Sequence, residues 1–296
     1  MSTISSQQST ANSETTGKDK ANVLRRQVAA SLDTLATAID DVRASEDFRQ
    51  FLEVQARFHR YSWHNTLLIA SQRPDATQVA GYRTWQSLGR QVRTGERGLM
   101  ILAPCTYRRE AQPKDTTEGD TETIEGIYFR VVHVFDVAQT DGEALPSVEV
   151  PTVQAVADGL LSDLLRVADA RGIRVNFGPL PSGAFGASKR GAIDIDNQHP
   201  TGQQAKTLAH ELAHERLHWD NDGPLTRSIA ELEAESVAYV VCTHFGLDVE
   251  VRSSRYIALW QGDSKALRAS LERIATTARD IIDAVESAKA GKAVAA

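Results

Sequence analysis

The segment Thr207-Leu-Ala-His-Glu-Leu-Ala-His-Glu-Arg-Leu-His218 decides the fold of the second half of this chain. It contains His210-Glu211-x-x-His214, and histidines four residues apart lie on one face of a helix, where both imidazoles can reach one metal ion. The leucines of the segment give the helix an apolar side, and Thr201 after a proline is a typical helix start. The sequence therefore predicts a helix from about Thr201 to Trp219 that carries a metal site.

The next predicted helix, about Thr226 to Phe245, supplies the acidic ligand candidates. Glu231 and Glu235 are four residues apart and share a face, and the residues after Glu235 are almost wholly apolar. A carboxylate on a buried helix is costly unless it is paired or bound to a metal. We therefore assign Glu231 as the third ligand and Glu235 as the acceptor of the second N–H of a ligating histidine. The reverse assignment is the main alternative.

Three other residues near the motif need a role. Asp220 lies six residues after His214, where metzincin-like sites place their third ligand, but those sites have glycine where this chain has Leu217. His218 lies near the ligand face, and a partly cationic ring there is favoured by the helix C-terminus. Glu233 is expected to face away from the metal as a solvated or ion-paired residue.

Two histidines and a carboxylate with an open fourth position are typical of catalytic zinc sites, with Mn²⁺ or another divalent ion as the alternative. Glu211 is the candidate base that takes a proton from water and delivers it to the leaving amine. Tyr256 is the first candidate for the catalytic donor to the developing oxyanion, and His218 is the second. The alternative for Tyr256 is a buried packing role. The alternating segment 191–196 (GAIDID) predicts an edge strand that could align an extended peptide.

The overall composition is that of a soluble globular protein, with 296 residues, a net charge of −6 and 41% hydrophobic residues. No apolar run reaches the ~18–20 residues that span a bilayer, which excludes a membrane protein. The N-terminus has no secretory signal and the two cysteines cannot form a disulfide framework, so we expect a cytoplasmic protein. Residues 1–20 are rich in small polar side chains and are expected to be a disordered tail.

The length and the composition shifts predict an α+β protein of two domains, residues 21–145 and 150–290. The first domain is expected to have helices at about 22–42 and 47–72, and a hairpin of strands 99–107 and 127–137 around an acidic loop at 112–126. The second is expected to have a helix at 152–170, a strand near 173–177, the two site helices and a last helix at 264–288. The apolar stripe of that last helix predicts packing against its own domain, with a dimer interface as the alternative.

The basic charge is concentrated in the first domain. Residues 49–109 contain ten arginines, no lysine and three acidic residues, interleaved with aromatic residues. Arginine forks fit phosphates, and a basic groove with stacking rings is typical of single-stranded DNA binding. Buried aromatics beside solvated arginines are the alternative, and Trp63 and Trp85 are expected in the core. The candidate DNA contacts are the arginines around the glycine turns: Arg83, Arg90, Arg93 and Arg97.

Several segments resemble a known family. KTLAHELAHERLHW (206–219) and AELEAESVAYVVC (230–242) resemble the ImmA/IrrE-type metallopeptidases and, more closely, the C-terminal domain of ArdC-like antirestriction proteins. Segments 61–74, 81–85, 88–98 and 129–136 resemble the ArdC N-terminal module that binds single-stranded DNA. The resemblance covers about residues 45–285.

The resemblance implies a zincin-like metallopeptidase domain of gluzincin type behind a nucleic-acid-binding module. It implies that His210, His214 and Glu231 bind the metal, that Glu211 is catalytic and that Glu235 supports the ligands. Gluzincins often have aspartate at the supporting position, so the longer arm of Glu235 could exchange roles with Glu231.

The leading hypothesis is a zinc-dependent endopeptidase that acts on an unknown protein substrate and binds single-stranded DNA, with a role in antirestriction or in mobile elements. One alternative is a non-proteolytic antirestriction factor that binds single-stranded DNA and has an accessory metal. The other is a regulator that cleaves a repressor. The sequence leaves the oligomeric state open.

Overall fold

The computed structural model describes residues 19–33, 41–110, 123–145, 153–180, 184–219, 226–249 and 263–295. Backbone contacts divide the chain into two compact units, Met1–Ala30 with Ser71–Glu143 and Ser31–Ala70 with Ala144–Ala296. Each unit combines helices and strands, which confirms the α+β class. The predicted N-terminal tail falls outside the described residues, apart from residues 19 and 20, which begin helix α1 (residues 19–33).

The two units differ from the predicted ranges 21–145 and 150–290 at residues 31–70, which fold with the C-terminal half. Helix α2 (Asp41–Arg57) packs against helix α7 (Arg227–His244). Phe48 and Leu52 of α2 are completely buried, and the hydroxyl of Tyr239 lies 3.4 Å from Glu53 Oε1. Helix α2 belongs to the second unit because its apolar face is buried against α7 and not against the strands that follow it in sequence.

The first unit is built on an antiparallel sheet in the order β1 (Val79–Gly81), β4 (Thr123–Asp136) and β3 (Leu99–Glu110). The pairing of β3 with β4 confirms the predicted hairpin, while the predicted acidic loop lies largely outside the described residues. Strands β2 (Arg90–Val92) and β5 (Thr140–Gly142) form a second, short ribbon. Helix α4 (Tyr82–Ser87) follows β1 and precedes β2 in the chain. It buries Trp85, whose indole N–H donates to Phe135 O at 2.8 Å.

The single helix predicted at 47–72 is in fact two helices, α2 and α3 (Trp63–Gln72). The chain turns at residues 58–62, and the carbonyls of His59 and Tyr61 accept hydrogen bonds from Arg279 at 2.8 and 2.7 Å. A break in a helix leaves backbone groups that need partners, and this arginine supplies them. The continuous apolar pattern was therefore misleading, because the partner lies more than 200 residues away in sequence.

The second unit places α5 (Val153–Ala170) before a sheet of β6 (Arg174–Gly178), β7 (Gly186–Ser188) and β8 (Ala192–Asp196). Helix α6 (Thr201–Leu217) packs against α5 and α7, and α8 (Ser264–Ala295) packs against α7 and α5. The α8 stripe is fully buried within this unit, which confirms the predicted packing: Leu267, Leu271, Ile274, Ala278, Ile281 and Val285.

Other expectations about single side chains can be compared directly with the structure. Trp63 and Trp85 are 1% and 2% exposed, which confirms their place in the core. Cys105 and Cys242 are free thiols. In the ranges given above, no helix is long and apolar enough to cross a membrane.

Candidate metal centre

The His-Glu-x-x-His motif lies on α6 and meets Glu231 of α7. The Nε2 atoms of His210 and His214 are 3.0 Å apart, and Glu231 Oε2 lies 3.4 Å from the first and 3.7 Å from the second. Donor atoms about 2.0–2.1 Å from a tetrahedral zinc ion stand about 3.3 Å apart. The three side chains therefore present one ligand atom each at the spacing that a divalent metal ion requires.

Charge also favours a cation at this point. Burial alone would lower the pKa of His210, but hydrogen bonds with Glu231 and Glu235 raise it to about 9. The neighbouring imidazoles of His210 and His214 hold the pKa of Glu231 far below its usual value. The carboxylates thus stabilise positive charge between the imidazoles, which is the charge that a metal ion would bring.

Glu235 faces the other edge of the first histidine. Its Oε2 lies 3.5 Å from His210 Nδ1, and its Oε1 accepts from Lys206 Nζ at 2.6 Å. Burial would raise its pKa, but His210 and Lys206 together lower it. Glu231 is on the Nε2 side and Glu235 on the Nδ1 side, so the structure separates the two carboxylates that the sequence left interchangeable.

A second chain of contacts lies behind His214. Its Nδ1 is 2.8 Å from His218 Nδ1, and His218 Nε2 is 3.4 Å from Glu233 Oε2. Glu233 is fully buried, and Arg273 of α8 donates to it through Nη2 at 2.6 Å and Nε at 3.0 Å, while Ser270 donates at 2.5 Å. Burial would raise the pKa of Glu233, but His218, Arg273 and Ser270 lower it.

This arrangement assigns protons to the two histidines. With Glu233 as acceptor, His218 carries its proton on Nε2 and accepts at Nδ1 from His214, whose Nε2 is then free to bind a metal. His218 lies at the helix end as predicted, where it caps α6. Glu233 was predicted to be solvated or ion-paired, and it is the buried partner of Arg273. The contact between His218 and Glu233 was not predicted. The spacing 210, 214, 218 was the available signal.

Glu211 lies beside the ligands under β7. It is 7% exposed, and burial raises its pKa above the usual value. A Cβ atom on Gly186 would stand 3.0 Å from Glu211 Oε1, so the glycine allows the strand to pass directly over the carboxylate. A carboxylate with a raised pKa next to a metal site is suited to proton transfer near neutral pH.

A cavity of about 630 Å³ opens over these residues, and its lining includes Ala184 to Ser188 of the β7 segment together with Trp219. The prediction that segment 191–196 forms an edge strand was wrong, because β8 is the central strand, between β6 and β7. The outer strand beside the cavity is β7, whose three residues, glycine, alanine and serine, give no alternating hydrophobic pattern. Any peptide aligned by strand addition would therefore pair with β7.

The four candidate DNA-binding arginines fall into two groups. Arg90 donates to Thr140 Oγ1 at 2.8 Å and to Thr140 O at 2.9 Å, and Arg93 pairs with Glu96 at 2.8 Å. Arg83 and Arg97 are exposed, and neither guanidinium makes an ion pair or hydrogen bond with another described residue. Tyr256 and Asp220 lie outside the described residues.

Two family profiles match the chain. The N-terminal domain of anti-restriction factor ArdC matches residues 19–135, and the IrrE N-terminal-like domain of peptidase family M78 matches residues 168–244. The second match contains α6 and α7 and therefore every residue placed above around the candidate metal position, apart from those of α8.

Individual relatives and structures resemble the chain over most of its length. An uncharacterized protein of Bacillus anthracis is 25% identical over 81% of this chain, and uncharacterized protein y4eC of Sinorhizobium fredii is 29% identical over 67%. The chain covers only 48% and 66% of these relatives. The metal-free crystal structure of antirestriction protein ArdC from plasmid R388 is 21% identical, covers 77% of this chain and 85% of its own, and has a TM-score of 0.48. The Mn(II)-bound crystal structure of the same protein is 20% identical, covers 80% of this chain and 97% of its own, and has a TM-score of 0.46.

Proposed function

Because the chain joins an ArdC N-terminal domain to an IrrE N-terminal-like domain, we propose that it is a metal-dependent peptidase coupled to a single-stranded-DNA-binding domain, with a role in antirestriction. The observation that carries the peptidase proposal is the meeting of His210, His214 and Glu231 around one point, with buried Glu211 beside it. Zinc fits this donor set best, and Mn²⁺ is the main alternative.

A divalent ion held by the three ligands would polarise a peptide carbonyl and acidify a bound water. Glu211 would take a proton from a water molecule whose oxygen bonds to the carbonyl carbon, and would return that proton to the amine nitrogen as the C–N bond breaks. Glu235 and His218 hold the ring edges of His210 and His214, which keeps each Nε2 aimed at the ion. The substrate is an extended segment of an unknown protein, which lies in the cavity along β7 with its backbone paired to that strand. Tyr256 remains the candidate oxyanion donor.

The peptidase proposal is tested with Glu211→Gln. This variant should retain its metal, measured by elemental analysis, while losing hydrolysis by about 10²–10⁴-fold. Because the substrate is unknown, the readout is the set of new protein N-termini formed in cells that express the wild type or the variant. Wild-type-specific N-termini that disappear in the variant support the proposal. An identical set in both strains, with metal bound in both proteins, contradicts it.

The DNA-binding proposal concentrates on Arg83 and Arg97, since Arg90 is hydrogen-bonded to Thr140 of β5 and Arg93 is paired with Glu96 and Asp141. Exposed rings in the same unit could stack on bases, because Tyr82, Tyr128 and Phe129 are 43%, 44% and 42% exposed.

The experiment is a salt titration of binding to a labelled oligo-dT strand. The slope of log K against log salt is negative, and each lost phosphate contact reduces its magnitude by about 0.7, so Arg83→Glu with Arg97→Glu should reduce it by about 1.4. Arg174→Glu, on an exposed position of β6 in the other unit, is the matched charge control. Equal slopes for the double variant and the control would overturn this assignment.

Glu211→Gln and the double variant Arg83→Glu with Arg97→Glu together distinguish the proposed function from that of a non-proteolytic antirestriction factor. Protection of incoming DNA from a restriction enzyme in cells should require both Glu211 and the exposed arginines. Protection that survives Glu211→Gln but is lost with the double arginine variant favours the non-proteolytic function.

A further inference from the structure

A second cluster of potential metal ligands lies outside the centre described above. It consists of His59, at the turn between α2 and α3, His244, at the end of α7, and Glu286 of α8. Each offers one ligand atom, and these atoms lie within 4.8 Å of one another. None of the three lines the cavity at the first centre.

The side chain of His59 gives the strongest indication that this cluster binds a ligand. Its side chain is 8% exposed, and neither ring nitrogen has a hydrogen-bond partner within the described part of the chain. The nearest carboxylate oxygen, Asp283 Oδ1, is 3.8 Å from His59 Nε2, which is beyond hydrogen-bonding distance. Buried polar groups nearly always have a partner, and a ring with two unpaired nitrogens points to a missing water or ion.

His244 is already oriented as metal-binding histidines are. Its Nδ1 lies 2.8 Å from Ala56 O, and a carbonyl can only accept, so Nδ1 carries the proton and Nε2 keeps its lone pair. That Nε2 faces Glu286 Oε1 at 3.5 Å. The ring meets the His59 ring edge-on, with centroids 4.4 Å apart.

Glu286 is the third potential ligand, and only one of its two carboxylate oxygens is engaged by an arginine. Its Oε2 accepts from Arg60 Nη2 at 3.0 Å, which leaves Oε1 on the side of the histidines. The distance of 3.5 Å between His244 Nε2 and Glu286 Oε1 is close to the ~3.3 Å edge of a tetrahedral zinc site. Two imidazoles and one carboxylate form a donor set that suits zinc.

We propose that His59, His244 and Glu286 bind a second divalent metal ion, zinc by donor chemistry, with water in the fourth position. The site joins the turn at residues 58–62 to the end of α7 and to α8, all within the second unit. Its role is structural, because the ion fastens the first two helices of that unit to the helix that carries Glu231. It is independent of the peptidase proposal, since it shares no ligand with the first centre.

The test uses the full chain with the first centre removed by His210→Ala and His214→Ala. After extensive dialysis, this protein is titrated with Zn²⁺ alone, and bound zinc is measured by elemental analysis and calorimetry. We expect one zinc per chain, and a rise in Tm when zinc is added. A background that binds no zinc overturns the proposal.

The ligands are then changed in the same background. Glu286→Gln keeps the size of a side chain that is 37% exposed, and should weaken zinc binding at least tenfold. His244→Asn should abolish it. Glu272→Gln, on an exposed position of α8, and His133→Ala, an exposed histidine of β4, are matched controls that should leave affinity unchanged. Zinc binding that survives both ligand changes, or falls equally in the controls, overturns the assignment.

Discussion

Replacing Glu233 by alanine tests how the centre is held in place. Glu233 is fully buried and accepts from Ser270 at 2.5 Å and from Arg273 at 2.6 and 3.0 Å, with His218 Nε2 at 3.4 Å. The change removes the anion but leaves the guanidinium and the imidazole in position. We expect two separate effects, a loss of stability and a loss of metal affinity.

The loss of stability follows from the unpaired partner. Removing one member of a buried ion pair costs about 3–5 kcal/mol. Arg273 is 29% exposed and can regain some water, so we expect the lower end, about 3 kcal/mol. For a folded body of 150–250 residues, each 1 kcal/mol shifts Tm by about 2–4 °C, which gives a fall of about 6–12 °C.

The loss of metal affinity follows from the freed histidine. Without Glu233, His218 loses the acceptor that fixes its proton on Nε2, and His214 loses the partner that holds its own tautomer. Changes of this kind at residues that orient metal ligands typically weaken metal binding by about 10–100-fold. A variant that affected packing alone would lower Tm but leave the affinity for zinc unchanged.

Both effects are measured on the same proteins. Thermal unfolding is followed in excess chelator, so that bound metal does not contribute, and zinc affinity is measured separately at a temperature where all variants are folded. Glu272→Ala, at an exposed position of α8, is the control and should change stability by less than about 0.5 kcal/mol. A Glu233→Ala protein with the Tm of this control, or with wild-type zinc affinity, would refute the reasoning.

Three further predictions concern the cavity, the thiols and the metal. Gly186→Ala should cost about 1–3 kcal/mol and displace Thr207 and Glu211, since the added Cβ would stand 2.5 Å from Thr207 Cγ2 and 3.0 Å from Glu211 Oε1. A Cβ on Gly178 would have no atom within 4 Å, so Gly178→Ala is the control and should leave hydrolysis unchanged. Burial raises the pKa of Cys242 to about 12, so iodoacetamide at pH 8 should label Cys105 but reach Cys242 only when the protein unfolds; mass spectrometry of equal labelling in the native state would contradict this. Chelation should lower Tm, and zinc at 100 times its Kd should restore about 2.7 kcal/mol at one site; an unchanged melting curve would count against a bound metal.

The parts that could be predicted from sequence are those in which the signal is local. His210 and His214 are one helical turn apart, so helical spacing alone places both imidazoles on one face of α6. The carboxylate of Glu231 was a candidate because the next predicted helix is short of other partners for a buried acid. The β3–β4 hairpin was equally accessible, because an apolar run at 99–102 and a β-branched and aromatic segment at 127–137 flank a polar loop.

The parts that could not be predicted depend on distant partners. The turn at residues 58–62 is stabilised by Arg279, and Glu233 is paired with Arg273, both on α8. Strand β8 resembled an edge strand because its sequence alternates, but the three residues of β7 cover it. A short strand with glycine and small residues has no hydrophobic period, so it cannot be recognised from its own sequence.

Helix α7 explains why the candidate centre depends on the whole second unit. It carries three carboxylates within five residues, and each is paired with a side chain of another helix: Glu231 with the imidazoles of α6, Glu235 with Lys206 of α6, and Glu233 with Arg273 of α8. Only Glu231 is substantially exposed, at 48%, against 0% and 15% for the other two side chains. An uncompensated buried carboxylate would destabilise α7, so α8 has to be docked before the ligands can be held in place. The motif on α6 therefore supplies two ligands of the first centre, while α8 holds the helix that brings Glu231 to them.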